Sequence, residues 1–202
     1  MSTSPAPRRA MCAACLRAAS ACMCRWIAPV HAAVELLILQ HPLEVANAKG
    51  SARLLHLSLP GSRLVVGELF DPQILSGLLT AGGRKPLLLY PATPGTAAAA
   101  PDPAMLGTPS ALRLVVLDGT WRKSRKMLHL NPPLHELPRL ALHGMAPSRY
   151  RIRKAHAPDQ LSTLEAACHA LAQLEGDAFQ PVLAAFDGFV AEQAARVTTF
   201  GP

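Results

Sequence analysis

A continuous apolar run that passes through a tight turn into a basic helix constrains this fold most. The four apolar residues Leu114–Leu117 run directly into Asp118 and Gly119, and a helix-compatible basic stretch follows. This pattern predicts a buried parallel strand, a tight turn and a helix. In α/β proteins, ligands bind at the carboxyl ends of such strands, where free N–H groups of the next helix favour negative charge. We therefore expect a functional site at Asp118, with helix capping by Asp118 and Thr120 as the alternative.

Further apolar runs alternate with amphipathic stretches along the chain. Strands are predicted at residues 34–40, 64–67, 86–90, 114–117 and 139–142, and helices at 44–57, 72–79, 121–130, 161–174 and 178–197. Ser162 and Glu165 have the spacing of a capping box. Residues 91–110, rich in Pro, Ala, Gly and Thr, predict a loop or flap of unusual length. Strands that alternate with helices indicate an α/β domain with a mostly parallel sheet covered by helices on both faces.

Four of the five cysteines, Cys12, Cys15, Cys22 and Cys24, lie within thirteen residues of one another. In a reducing compartment this grouping favours zinc, because four thiolates close a tetrahedral structural site and supply folding free energy to a short segment. Disulfide pairing and chance clustering in an alanine-rich stretch are the alternatives. We accordingly divide the chain into a disordered tail at 1–9, a zinc-binding segment at 10–30 and a catalytic domain at 31–202.

Positive charge is concentrated in two parts of the chain. Residues 1–34 carry four arginines and no acid, and residues 113–154 carry ten lysines and arginines against two acids. Such a footprint suits a polyanion such as RNA or DNA, with ordinary solubilising charge as the alternative. No apolar run is long enough to span a membrane, and the amino-terminal segment lacks the continuous apolar core of a secretion signal. The sequence therefore predicts a cytoplasmic protein with no membrane association and no obligatory protein partner.

Five motifs, taken in chain order, resemble the DTW-domain family. They are the four-cysteine cluster, Gln40-His41-Pro42-x-Glu44, Asp118-Gly119-Thr120-Trp121, Ser148-Arg149-Tyr150-Arg151-Ile152-Arg153 and Leu161-Ser162-Thr163-Leu164-Glu165-Ala166. The resemblance covers nearly the whole chain from Cys12 to the last helix. It implies a SPOUT-like α/β fold with a trefoil knot in the carboxyl half, an arrangement too rare for periodicity to predict.

The resemblance also implies a reaction. Characterised bacterial members of the family are tRNA-uridine aminocarboxypropyltransferases, which move the 3-amino-3-carboxypropyl group of S-adenosylmethionine to N3 of a uridine in tRNA and release methylthioadenosine. Because N3–H is a weak acid and N3 a poor nucleophile, a carboxylate held close by could take the proton as the new bond forms. Asp118 is the predicted base, with Thr120 as its catalytic neighbour. Arg151 or Arg153 could clamp the donor's carboxylate bidentately.

The remaining predicted site residues fall into two sets. The S-adenosylmethionine set is Tyr90, Pro91, Leu117, Gly119, Tyr150, Arg151, Arg153, Ser162 and Thr163. The tRNA set is His41, Arg122, Lys123, Arg125, Lys126 and Arg149. As alternatives, His41 is a strand-end histidine satisfied by the backbone, and the basic helix presents only a solvated face. Trp121 is predicted to pack beneath the turn.

Two other functions fit the same residues. An S-adenosylmethionine-dependent RNA methyltransferase of the SPOUT type would keep the fold and the donor but transfer the methyl group. A non-enzymatic, zinc-dependent RNA-binding module would use the basic turn as a platform. Identification of the reaction product separates these functions from aminocarboxypropyl transfer.

Overall fold

The computed structural model describes residues 10–47, 50–91, 106–142 and 161–199. The strands of its sheet are β1 (Glu35–Gln40), β2 (Arg63–Val66), β3 (Lys85–Leu89), β4 (Leu112–Asp118) and β5 (Arg139–Leu140). All pair in parallel, in the order β2-β1-β4-β3-β5. The predicted parallel sheet is therefore confirmed, with the run that ends at Asp118 as its central strand.

Helices cover both faces of this sheet. They are α1 (Ala52–Ser58), α2 (Pro72–Thr80), α3 (Trp121–Leu130), α4 (Thr163–Glu175) and α5 (Gln180–Thr199). Every residue of β4 is buried, and its side chains alternate between two cores because successive strand residues point to opposite faces. Leu114 and Val116 pack with α1, α4 and α5, whereas Val115 and Leu117 pack with α2 and α3.

The predicted helix over 44–57 is wrong in its first half. A single 3-10 turn spans Pro42–Glu44, and α1 begins only at Ala52. The Asn47 side chain donates to a carboxylate oxygen of Glu44, and the Gly50 N–H donates to the Asn47 carbonyl. Such local polar bonds offer the backbone an alternative to helix, which the apolar spacing alone does not reveal.

A buried arginine organises the amino ends of the strands. Arg113 is 1% exposed, and its guanidinium donates to Glu35 and to the carbonyls of Leu78, Leu79 and Ala81. These carbonyls belong to the end of α2 and the residue after it, where helical partners are missing. This end of the sheet is therefore used for stability.

The amino-terminal segment packs against the last helix. Met23 is fully buried in the core that includes α5, and the Trp26 indole N–H donates to Glu192 at 2.7 Å. Gly188 provides the space, because a Cβ at that position would lie 2.1 Å from the Trp26 ring. The first and last described segments thus share one core.

Several expectations fall outside the described residues. They concern the tail at 1–9, most of the predicted loop (92–105) and the arginine-rich segment 143–160, which holds Arg149, Tyr150, Arg151 and Arg153. The expected trefoil knot depends on the path of this last segment. Among the described helices, none has the length and apolar character needed to cross a membrane.

Candidate functional site

The chain leaves β1 and β4 in opposite directions, although the two strands are neighbours. From β1 it continues through α1 to β2 on one side, and from β4 it continues through α3 to β5 on the other. Since α1 and α3 cover opposite faces, a crevice opens at the carboxyl ends of this strand pair, where α/β proteins bind ligands. The strand register places Gln40 beside Asp118 at this point.

The Asp118 carboxylate is held from two other elements. Its Oδ2 accepts a hydrogen bond from Gln40 Nε2 at 2.8 Å, and its Oδ1 accepts one from Thr163 Oγ1 at 2.7 Å. Asp118 is 5% exposed, so the carboxylate lies at the sheet edge but inside the protein surface. Asp118 therefore joins β1, β4 and the first turn of α4, and brings together two residues predicted at the site.

The turn after Asp118 is tight, and its threonine caps the next helix. Thr120 is the N-cap of α3, and its Oγ1 accepts from the Lys123 N–H at 3.4 Å. A Cβ on Gly119 would lie 3.1 Å from the Lys123 Cβ and 3.7 Å from the His41 Cβ. The glycine thus lets α3 approach the end of β1. Capping, the alternative considered for this turn, is the role that the Thr120 geometry supports.

Two acids from other loops neutralise half of the charge on the basic helix. Lys123 Nζ lies 2.7 Å from Glu44 Oε1, and Lys126 Nζ lies 2.9 Å from Glu68 Oε2. The Lys126 ammonium, and after it His41, hold the pKa of Glu68 below its usual range. Arg122 and Arg125 are exposed. The exposed positive charge of α3 is therefore carried mainly by its arginines.

His41 is buried, with both ring nitrogens engaged. Nδ1 accepts from the Leu43 N–H at 3.1 Å, and Nε2 lies 2.9 Å from Glu68 Oε1. A neutral ring with Nε2 protonated satisfies both contacts. With 5% of the residue exposed, this geometry favours the strand-end alternative over contact with a phosphate.

The predicted burial of Trp121 is wrong. Trp121 is 45% exposed, because the first residue of α3 projects from the edge of the turn. Its ring meets the ring of Tyr90 edge to face, with centroids 5.8 Å apart and an interplanar angle of 77°. The Arg139 guanidinium lies 5.4 Å from the Tyr90 centroid and donates to the Pro91 carbonyl. Burial raises the pKa of Tyr90, although a hydrogen bond with Ser124 and nearby arginine charges offset part of the effect.

The described donor-binding candidates differ in accessibility. Tyr90 and Leu117 are each 8% exposed, and Pro91 is exposed. Ser162 is used in the predicted capping box: its hydroxyl accepts from the Glu165 N–H, and the Glu165 carboxylate accepts from the Ser162 N–H. The hydroxyl of Thr163 faces Asp118 instead.

The sequence did not identify Gln40, Glu44, Glu68 or Arg139 as site residues. Gln40 carried a usable signal, because it is a polar residue at the end of a buried apolar run, as Asp118 is. Glu68 is 27 residues from its partner His41 and shows no local pattern that indicates the contact. Such pairs arise from the order of strands in the sheet.

The four cysteines form a second candidate site. Their sulfurs lie within 4.8 Å of one another, with Cys12 and Cys24 at 3.6 Å and Cys15 and Cys22 at 3.7 Å. A tetrahedral zinc ion with Zn–S bonds of about 2.3 Å places sulfurs about 3.8 Å apart, whereas a disulfide requires about 2.05 Å. All four are free thiols. Their spacing therefore fits a four-coordinate metal. N–H donors from Cys15 and Ala14 lower the pKa of Cys12 to about 6, whereas burial raises the pKa of Cys24 to about 12.

Comparison with known proteins gives a consistent set of relatives. A family model described as the DTW domain matches residues 9–194. A Macaca fascicularis protein named tRNA-uridine aminocarboxypropyltransferase 2 is 32% identical over 180 residues, which are 85% of this chain and 58% of the relative. Proteins of the same name from Drosophila melanogaster and Mus musculus are 31% and 32% identical, over 87% and 84% of this chain and 70% and 58% of their own lengths. This chain thus spans little more than half of two of these relatives. No solved structure matches it.

Proposed function

Because the chain belongs to the DTW-domain family, we propose that it is a tRNA-uridine aminocarboxypropyltransferase with S-adenosylmethionine as the donor. The name of the relatives supports a uridine of tRNA as the acceptor. The observation that carries the proposal is the Asp118 carboxylate, held by Gln40 and Thr163 where the sheet connections diverge. An acid placed there can meet both a donor and a nucleobase in the crevice.

The proposed reaction is a displacement at carbon. A bond forms between uridine N3 and the donor carbon beside the sulfonium, the carbon–sulfur bond breaks with its electron pair moving to sulfur, and methylthioadenosine leaves. The N3 proton passes to Asp118, a transfer that a positioned base can accelerate by about a hundredfold or more. Thr120 contributes by fixing the turn after this acid, and Thr163 contributes by orienting the carboxylate.

Selection of this carbon over the methyl group depends on the donor's pose, since displacement needs near-contact geometry. We assign the donor's adenosine to the surface formed by Tyr90, Pro91, Leu117 and Gly119, at the carboxyl ends of β3 and β4. Arg151 or Arg153 would hold the donor's carboxylate in a bidentate ion pair. The SPOUT-like knot that the family resemblance implies is part of this proposal.

The proposed tRNA surface begins on α3. Arg122 and Arg125 are exposed and available to phosphates, whereas Lys123 and Lys126 would exchange Glu44 and Glu68 for them. Arg149 is the proposed contact beyond the helix. We also propose that the four cysteines hold a structural zinc ion, which would close the amino-terminal segment and take no part in the reaction.

Transfer of differently labelled donors tests the function. The protein is incubated with an unmodified tRNA transcript and S-adenosylmethionine labelled either on the methyl carbon or in the aminocarboxypropyl chain, and nucleosides are identified by mass spectrometry. Aminocarboxypropyl label on uridine, with methyl label released as methylthioadenosine, is the expected result. Methyl label on RNA would establish the methyltransferase instead. RNA binding without S-adenosylmethionine binding or product would establish the non-enzymatic module.

A further inference from the structure

Trp121 combines exposure with a cationic setting. Its side chain is 45% exposed at the first position of α3. Arg122 follows it directly, and Arg125 lies one turn later, on the same side of the helix as Trp121. At 45% exposure, the indole leaves a large aromatic surface open to a ligand. Aromatic rings flanked by arginines are the surfaces on which proteins stack the bases of single-stranded RNA.

The indole is held from the protein side. Tyr90, itself 8% exposed, packs edge to face with it, and the Arg139 guanidinium supports the Tyr90 ring from β5. At the backbone, the Ser124 hydroxyl donates to the Trp121 carbonyl at 3.2 Å. Trp121 is therefore pre-oriented, so that a base stacked on it would cost little side-chain entropy.

We infer that Trp121 is a stacking platform for a nucleobase of the RNA substrate, beside the Asp118 crevice. The inference rests on the proposed function only for the identity of the RNA as tRNA. An adenine of the donor is the competing occupant, but the adenosine is assigned to the neighbouring surface at Tyr90, and S-adenosylmethionine brings no phosphates for Arg122 and Arg125. The same two arginines attract the phosphates on either side of a stacked RNA base.

The chain has two tryptophans, which allows a direct optical test. Trp26 belongs to the amino-terminal segment and packs against α5, where its indole N–H donates to Glu192. It is part of the core that this segment shares with α5. Trp26→Phe leaves emission from Trp121 alone, and Trp121→Phe leaves emission from Trp26 alone. Each variant is titrated with an unmodified tRNA transcript, with inorganic polyphosphate and with S-adenosylmethionine, while binding is followed separately by anisotropy of labelled tRNA or polyphosphate.

Stacking predicts that tRNA quenches Trp26→Phe but not Trp121→Phe, and that polyphosphate binds with little quenching. Trp121→Ala should weaken tRNA binding about tenfold, and Trp121→Phe should weaken it less, because a smaller ring still stacks. Binding of tRNA without quenching of Trp121 would overturn the inference, as would equal quenching by polyphosphate or by S-adenosylmethionine alone. If Trp26→Phe does not fold, wild type and Trp121→Phe are compared instead. Stacking then predicts that tRNA quenches the emission of wild type and not that of Trp121→Phe.

These outcomes are separable from failure of the proposed function. The labelled-donor assay on the unmodified protein reports the reaction without reference to Trp121. Transfer to uridine with no quenching of Trp121 would remove the platform and leave the enzyme. Quenching with no transfer would leave an RNA-binding surface and remove the enzyme.

Discussion

Asp118 is subject to two opposing demands if it is the base. The hydrogen bonds from Gln40 and Thr163 orient its carboxylate, but they also occupy acceptor positions on both oxygens, so the N3 proton must reach a remaining lone pair. Orientation outweighs this competition because N3 loses its proton as it attacks the donor carbon, and both events require one geometry. The two hydrogen-bond donors, Gln40 and Thr163, belong to β1 and α4. A shift of either element would therefore change the position of the Asp118 carboxylate.

Replacing the acid by its amide tests the assignment. We expect Asp118→Asn to fold and to bind both ligands, because an Asn oxygen can still accept from Thr163 and the Gln40 amide can rotate. Turnover should fall by about a hundredfold or more, since the amide cannot take the proton. Single-turnover transfer to tRNA measures this. Asp177→Asn, beyond the far end of α4, is the charge-matched control and should retain wild-type turnover.

Retained turnover in Asp118→Asn would assign the proton to another acceptor. Asp118 would then be a residue that only positions the substrate. Intermediate loss with a changed pH profile of kcat would point to a water-mediated base. Either result would keep the donor and tRNA surfaces as proposed.

At the scale of elements, the last helix secures the amino-terminal segment through one carboxylate. Glu192 accepts hydrogen bonds from Arg25, Trp26 and Arg196. The Arg25 guanidinium, more than any other group, lowers the pKa of Glu192 from 4.5 to about 2. A depressed folded-state pKa stabilises the fold at pH values above about 4.5, and this contribution disappears as the pH falls towards about 2.

The Glu192→Gln variant should therefore be less stable than wild type at pH 7, and the gap should close on acidification. Thermal unfolding followed by Trp26 emission at pH 7, 4 and 3 measures the gap. Asp177→Asn should show no such convergence. A constant gap across this range would mean that the Glu192 contacts stabilise by packing and not by charge.

Removal of the metal should also affect the packing of the amino-terminal segment against α5. Because Cys15 and Met23 lie in the core that α5 completes, loss of the proposed zinc ion should lower Tm and change Trp26 emission. Cys22→Ala should lose the metal, whereas Cys168→Ala, buried in α4 and outside the cluster, should retain it. Metal content by mass spectrometry and Tm give the test. Full metal binding by Cys22→Ala would remove Cys22 from the ligand set.

The positions of the strands and helices were more predictable than the contacts between residues that are distant in sequence. Proline and glycine bound the apolar runs, so the strand positions followed from sequence to within about two residues, and the Ser162–Glu165 capping box was confirmed. The contact between Gln40 and Asp118 spans 78 residues and depends on β4 inserting beside β1, which no local pattern encodes. Trp121 was misjudged for a related reason: helical spacing cannot say which side of the first turn meets the sheet.

At the scale of the whole molecule, charge is distributed along the sheet axis. The carboxyl end carries the exposed Arg122 and Arg125. At the amino end, Arg63 is exposed, but Arg113 and Arg84 are engaged with Glu35 and carbonyls. Long-range attraction of a polyanion should therefore favour approach to the carboxyl end.

Charge reversal tests this polarity. Arg122→Glu with Arg125→Glu should weaken tRNA binding and flatten the dependence of log K on log salt concentration, by a slope of about 1 for each lost phosphate contact. Filter binding across a salt series measures it. Arg63→Glu, exposed at the amino end of β2, is the control and should preserve the slope. An equal effect of Arg63→Glu would mean that only net charge matters.

The shared core of Met23, Trp26 and α5 has a consequence for synthesis. The cysteine segment is made well before α5, the helix that shelters its apolar side chains. During translation its thiols and indole would stay uncovered until α5 emerged, exposed to oxidation or to metal in the meantime. A ribosome stalled before residue 180 should therefore carry a cysteine cluster open to alkylation, and a later stall that lets α5 emerge should close it.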